Sequence, residues 1–255
     1  MISLFQFQDI EISKERLLNN CLGSLYLYEP FEVDNQIIAL LDISQDKDSR
    51  GNSLVVHERL GVFFDSRTTK ELVNEFYKIN GTGFATGKIL SGIFKLRHTP
   101  FVFAYVSYMP MTGGSRKNVD WIGLQFIDRY SQKEKFAHFV TVHGFEIKLS
   151  FPRGDLEKRI HDVCMLSEKS VLFFEKLLTG GLAELKPSNI TGVLRRFEKC
   201  ECLRHKKIVR KVLNINSACD KILKYLLTHM GVEEPEAETL ISFYRQNINK
   251  CKKLY

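Results

Sequence analysis

Three groups of residues have types and spacings that suit chemistry. The first is Gly81-Thr82-Gly83-Phe84-Ala85-Thr86-Gly87-Lys88, a glycine-rich run of the kind whose backbone N–H groups cradle phosphate. It fails as a dinucleotide loop. A helical pattern precedes it where a strand is needed, and no acid stands about 20 residues on to hold a ribose hydroxyl. It also fails as the phosphate loop of a nucleotidase. The glycine spacing is one residue too long, and Ile89 stands where Ser or Thr would hold magnesium. The second group is Cys200-Glu201-Cys202-Leu203-Arg204-His205, which offers soft metal ligands. Structural zinc usually takes four ligands in paired spacing, and no second cysteine pair lies nearby. Unliganded cysteines are therefore expected, with no metal and no cofactor. The seven histidines form no i, i+4 metal pair, and no local Cys–His signature marks a nucleophile, so no enzymatic activity is expected.

The third group is defined by charge. Residues 76–119 contain no Asp or Glu, yet they carry Lys78, Lys88, Lys95, Arg97, Arg116, Lys117 and His98. A chain in which 26% of residues are charged would place several acids in such a stretch. A surface that lies against phosphates repels carboxylates, and each Lys or Arg on it releases a counterion. A buried strand region that excludes both signs of charge explains residues 101–106 equally well, but not residues 88–97 or 116–118. A second basic region lies at the C-terminal end. Residues 186–255 hold 15 Lys and Arg against 7 Asp and Glu, while residues 1–185 hold 22 against 23. On helices most such charge forms a solvated face. The net charge of +7 and the pI near 9.0 favour an anionic partner without choosing one.

The elements that must position these residues follow from pattern. A short helix is expected at 13–20. Strands are expected at 25–28, 36–43, 53–56 and 61–64, the middle pair separated by the turn-prone residues 46–52. A helix opens after Asp65 with polar N-cap candidates, and Leu72, Phe76 and Ile79 give it an apolar stripe. Strands follow at 93–96, 101–108 and 121–127, with a loop at 110–118. A hairpin at 135–142 and 145–151 turns about His143-Gly144. A helix over 155–178 directs Leu156, Ile160, Val163, Leu166, Val171 and Phe174 towards a core. Beyond Gly180-Gly181 the pattern becomes helical, at about 188–197, 204–213, 218–229 and 236–247. The fold class is thus α+β, a mainly antiparallel sheet domain with flanking helices followed by an α-helical C-terminal region. Its expected divisions are an extension at 1–24, a domain at 25–179 and a basic helical region at 180–255. No continuous run of about 18–20 apolar residues is present, so no membrane span is expected. The N-terminus lacks the basic and apolar regions of a secretory signal. The six cysteines read as reduced cytosolic thiols, and a cytoplasmic location is expected.

One stretch carries a family resemblance. Residues 93–127 contain His98-Thr99-Pro100-Phe101, then Met109-Pro110-Met111-Thr112, then Ser115-Arg116 and Trp121-Ile122. This resembles the competence transcription factors, the ComK family. That family has a His-x-Pro-Pro step, an aromatic-x-Pro-Thr turn, a small-residue run with an Arg, and Trp-Ile opening a strand. Here the second proline of the step is Phe101 and the Thr of the turn is displaced. The flanks are collinear: Ile37 to Leu41 resembles the family's N-terminal strand, Thr86-Gly87-Lys88 its Gly-Arg-Lys loop, and residues 142–149 its later hairpin. The likeness spans roughly residues 25–170 and leaves the two ends of the chain unmatched.

The resemblance implies a bacterial, homo-oligomeric activator of DNA-uptake genes that reads A/T-rich boxes in double-stranded DNA from the minor groove. It also implies RNA polymerase and a proteolytic adaptor as partners, although no counterpart of the family's adaptor-binding segment is evident. A narrow A/T-rich minor groove concentrates negative potential and attracts Arg and Lys. On this reading Arg116 enters the groove with Ser115, Lys117 and Asn118 beside it. Lys88, Lys95 and Arg97, with the neighbouring His98, face phosphates, which position without specifying. Trp121 anchors the core. The alternative is a protein-interaction adaptor that uses the basic C-terminal helices.

Overall fold

The computed structural model describes residues 3–7, 10–21, 24–46, 50–79, 91–92, 96, 98, 100–113, 118–180, 192–197, 200–203, 220, 223–225, 227–228 and 230–251. In chain order its elements are β1 (Ile12–Ser13), α1 (Lys14–Cys21), β2 (Ile37–Asp42), β3 (Ser53–His57), β4 (Gly61–Asp65) and α2 (Thr69–Ile79). Then come β5 (Phe101–Phe103), β6 (Val106–Pro110), β7 (Trp121–Gly123), β8 (Ile127–Lys133), β9 (Phe136–Thr141) and β10 (Glu146–Ser150). Three helices follow: α3 (Leu156–Gly180), α4 (Val193–Arg196) and α5 (Glu234–Cys251). The strands form two sheets, in the orders β4-β3-β2-β7-β6-β5 and β1-β10-β9-β8. Every pairing is antiparallel except β1 with β10. The expected α+β class is what the chain adopts.

The six-stranded sheet is buried on both faces, which is why its central strands read as unbroken apolar runs rather than alternating ones. Leu54 and Val56 of β3, Val62 and Phe64 of β4, and Met109 and Ile122 of β6 and β7 face one apolar cluster. Val55, Phe63, Tyr108 and Trp121 face the other. The second cluster is closed by Leu72, Val73, Phe76 and Tyr77 of α2. The first is closed by α3 and by the four-stranded sheet, through Ile160, Val163, Leu166, Phe139 and Ile147. Ile12 and Leu17 near the N-terminus, and Val193 and Leu194 of α4, belong to this same cluster.

Helix α2 begins with a reciprocal cap. Thr68 Oγ1 accepts from the Glu71 N–H at 3.2 Å, while Glu71 Oε2 accepts from the Thr68 N–H at 2.7 Å. The Thr68 N–H and the Thr68 hydroxyl both donate to the Glu71 carboxyl and hold it below its ordinary range. Its buried stripe comprises Leu72, Val73, Phe76 and Tyr77. Ile79, expected on that stripe, is 60% exposed. It is the last helical residue and lies roughly 90° round from the centre of the buried face.

Several strand expectations are corrected. Residues 101–108 form a hairpin rather than one strand, because Ala104 takes a positive φ of 50°. Two serines of α3 hold that turn: Ser170 Oγ accepts from the Ala104 N–H at 2.9 Å, and Ser167 Oγ donates to its carbonyl at 2.6 Å. The apolar run 121–127 breaks at a 3-10 turn, Leu124–Phe126. Strand β8 begins there, and its exposed polar residues leave no apolar signal. Residues 25–28 contribute only a single bridge, Leu27 to Phe64. The expected strand at 93–96 falls outside the described residues except for Leu96, whose N–H donates to the Ser91 carbonyl at 2.8 Å. Of the expected C-terminal helices, α4 and α5 are seen, residues 220, 223–225 and 227–228 are helical, and 204–213 lie outside the described residues.

Two buried polar side chains, Asp65 of β4 and His57 of β3, are held by specific partners. The Arg67 guanidinium meets Asp65 through Nε at 2.9 Å and Nη2 at 2.7 Å, Glu75 at 2.5 Å and the Phe31 carbonyl at 2.8 Å. Asp65 is buried, so Arg67→Ala leaves a desolvated carboxylate without its cation. A loss of about 2–3 kcal/mol is expected in urea unfolding, against less than about 1 kcal/mol for Glu75→Gln.

His57 is also buried. Its Nδ1 accepts from the N–H groups of Arg59 and Leu60 at 3.2 and 3.1 Å, which places its proton on Nε2, 2.9 Å from Asp34 Oδ1. Burial pushes the imidazole below its ordinary value, against the opposing pull of Asp34. The unfolded chain therefore takes up this proton first. The contribution to stability is full above about pH 6.5 and falls as the pH drops through that value, by at most about 1.4 kcal/mol per pH unit. Denaturation midpoints followed from pH 7.5 to 5 should show this slope in the native chain and a flatter one in His57→Gln.

Candidate nucleic-acid interface and a thiol–imidazole cluster

The loop between β6 and β7 leaves and returns at one closed stem. Pro110 pairs with Trp121 across the ladder, and the Met111 N–H donates to the Asp120 carbonyl at 2.9 Å. Arg159 of α3 binds the same stem from below. Its Nη1 donates to the carbonyls of Pro110 and Met111 at 3.2 and 2.8 Å, and its guanidinium stands 4.6 Å over the Phe151 ring. Burial pulls the Arg159 guanidinium down from its ordinary, very high value. Trp121, read from sequence as a core anchor, is buried in the α2-facing cluster.

Asp120 is the first acid after the acid-free run, and it points inward. It is 9% exposed, accepts from the Asp42 N–H at 2.8 Å and pairs with Lys14 at 3.0 Å. The first carboxylate after the loop is thus paired within the fold. Asn118 holds the returning strand: its Nδ2 donates to Ser44 Oγ at 3.4 Å, and Ser44 in turn donates to Asp42. The His98 ring lies near the outgoing side of the loop, where a Cβ on Gly113 would stand 3.8 Å from it. His98 and Asn118, far apart in sequence, therefore both lie near the base of one loop. Lys88, Lys95, Arg97, Ser115, Arg116 and Lys117 lie outside the described residues. Lys78, at the end of α2, is exposed.

The basic C-terminal region uses part of its charge internally. Lys224 pairs with Glu234 at 3.0 Å and Glu238 at 2.8 Å, and Arg245 pairs with Asp220.

A second constellation forms on α3. His161 Nε2 stands 3.4 Å from Cys200 Sγ and 3.6 Å from Cys202 Sγ, and the three ligand atoms all lie within 4.8 Å of one another. The Phe197 ring packs edge-on against the imidazole at 5.1 Å, and the Cys200 N–H donates to the Phe197 carbonyl at 3.1 Å. The cysteine segment is docked by α4, where Val193 and Leu194 are buried and Arg196 donates to the Asp128 carbonyl at 3.3 Å. Gly192 makes the docking possible. Its φ is +77°, and a Cβ there would overlap the Ile127 carbonyl. The sequence pattern groups the two cysteines with His205 and not with His161, because nothing in the intervening 38 residues signals that His161 and the cysteines meet. Among the described residues no helix is long and apolar enough to cross a membrane. No protein-family model, no curated protein and no solved structure matches the chain.

Proposed function

We propose that the chain is a sequence-specific, non-enzymatic DNA-binding protein, a transcriptional regulator that grips A/T-rich duplex from the minor groove with the loop between β6 and β7. The observation that carries the reading is the pairing of a long acid-free basic run with an inward-turned, ion-paired Asp120 at its end. Phosphate repels carboxylates, and this stretch presents none. A stem locked by the ladder, Arg159 and Asn118 suits a reader loop, since a groove contact is most specific when its carrier is rigid. Arg116 is the groove residue in this proposal, and Lys88, Lys95 and Arg97 are its phosphate contacts. The likeness to the competence activators extends the reading to promoters of DNA-uptake genes, bound by a homo-oligomer in the bacterial cytoplasm.

One observation favours a second reading. Leu240, Phe243 and Tyr244 of α5 are 45%, 63% and 52% exposed at helical i, i+3, i+4 spacing, while Ala237 and Ile241 are buried. Such a face suits a protein partner, as an adaptor would need.

A mobility shift separates the two. The full chain should shift an A/T-rich duplex more strongly than a G/C-rich one, and binding should weaken steeply with salt. Arg116→Ala should cost about 1–3 kcal/mol and reduce the A/T preference, while Lys88→Ala should weaken both duplexes alike and lower the salt slope by about 1. No shift at low salt, together with nuclease-resistant capture of a protein partner that is lost in Phe243→Ser, would establish the adaptor reading instead.

A further inference from the structure

We propose that His161, Cys200 and Cys202 form a zinc site that clamps the segment after α4 onto helix α3. In tetrahedral zinc, Zn–S bonds of about 2.3 Å and Zn–N bonds of about 2.0–2.1 Å put sulfur and nitrogen ligands roughly 3.5–3.6 Å apart. His161 Nε2 lies 3.4 Å from one sulfur and 3.6 Å from the other, which are the two separations that a shared ion requires. The third edge is also short enough, since all three atoms lie within 4.8 Å of one another.

The chemistry of the donors fits this ion. Thiolates are soft ligands that select zinc, copper(I) or iron–sulfur centres over magnesium and calcium, and a neutral imidazole suits zinc. Two thiolates and one imidazole balance the charge of Zn²⁺. Binding is written as Zn²⁺ plus two thiols and a neutral imidazole giving the bound ion and two released protons, with no redox change. Three protein ligands leave the fourth position of the tetrahedron to water. All three residues are half-buried, so the ion can enter from solvent while the ligands are held by packing. Contacts other than the ligands hold the two halves together: α3 carries His161, and the cysteine segment docks through Val193, Leu194, Arg196 and the Phe197 ring against the imidazole. The ligands therefore need little rearrangement on binding. The site joins the body of the fold to the chain just before the basic stretch 204–211.

The test uses the full chain, purified in reductant, stripped with a chelator and titrated with Zn²⁺ alone against a chromophoric competitor. The native chain should take up one Zn²⁺. Cys200→Ser and Cys202→Ser should each lower its affinity by about 100-fold or more, as expected when one of three ligands is lost. Cys21→Ser, remote from the cluster, should bind as the native chain does. Since a ligand variant can fail to fold, Co²⁺ is added to the native chain as an independent probe. Thiolate-to-cobalt charge transfer with intense tetrahedral d–d bands is expected, and bleaching by Zn²⁺ should follow. Overturning results would be a featureless octahedral Co²⁺ spectrum, Zn²⁺ uptake unchanged in the double cysteine variant, or a Cys200–Cys202 disulfide that persists in reductant and excludes the ion.

Discussion

Burial of the six-stranded sheet on both faces is the constraint on which the rest of this fold depends. Once the inner positions of β2, β3 and β4 are apolar on both sides of the sheet, neither face can meet water, and each must be covered. Helix α2 covers one face with Leu72, Val73, Phe76 and Tyr77. The other face needs a larger cover, which α3 and the four-stranded sheet provide together. The charged groups that remain near this sheet are drawn into pairs. Asp65 takes Arg67 and Asp120 takes Lys14, because an unpaired carboxylate at such depth would be strongly unfavourable.

Helix α3 then becomes the reference from which both candidate sites are measured. Its inner side supplies Ile160, Val163 and Leu166 to the core. Its flanks supply polar groups that capture otherwise weakly specified loops. Arg159 holds the stem of the basic loop, Ser167 and Ser170 hold the turn at Ala104, and His161 faces the two cysteines. A single helix thus connects the proposed DNA reader to the proposed metal clamp. A shift of α3 along its axis would disturb both.

The charge distribution gains meaning from this arrangement. Composition marks residues 76–119 as acid-free, but it cannot say whether the acids that flank them project into solvent. The tertiary structure turns Asp120 inward against Asp42 and Lys14. In the C-terminal region it engages Lys224 and Arg245 in ion pairs with acids of that same region, so the basic excess is carried by the other Lys and Arg residues.

Much of the secondary structure was legible in local pattern. The runs that became β2, β3 and β4, the Thr68–Glu71 cap, the hairpin about Gly144 and the long stripe of α3 all carry signals within a few residues. The hairpin at Ala104 and the polar strand β8 were not legible, because a partner element decides them: two serines of α3 in the first case and the β9 ladder in the second. The candidate sites divide in the same way. The basic loop is a contiguous charge pattern, so it was legible in the sequence alone, whereas the placement of His98 and Asn118 near its base rests on the approach of the His98 ring to Gly113 and on the hydrogen bond from Asn118 to Ser44. The approach of His161 to Cys200 and Cys202 was decided only by tertiary structure. It depends on a glycine that lets one backbone touch another and on two apolar residues that dock α4, and no spacing rule links such residues across a fold.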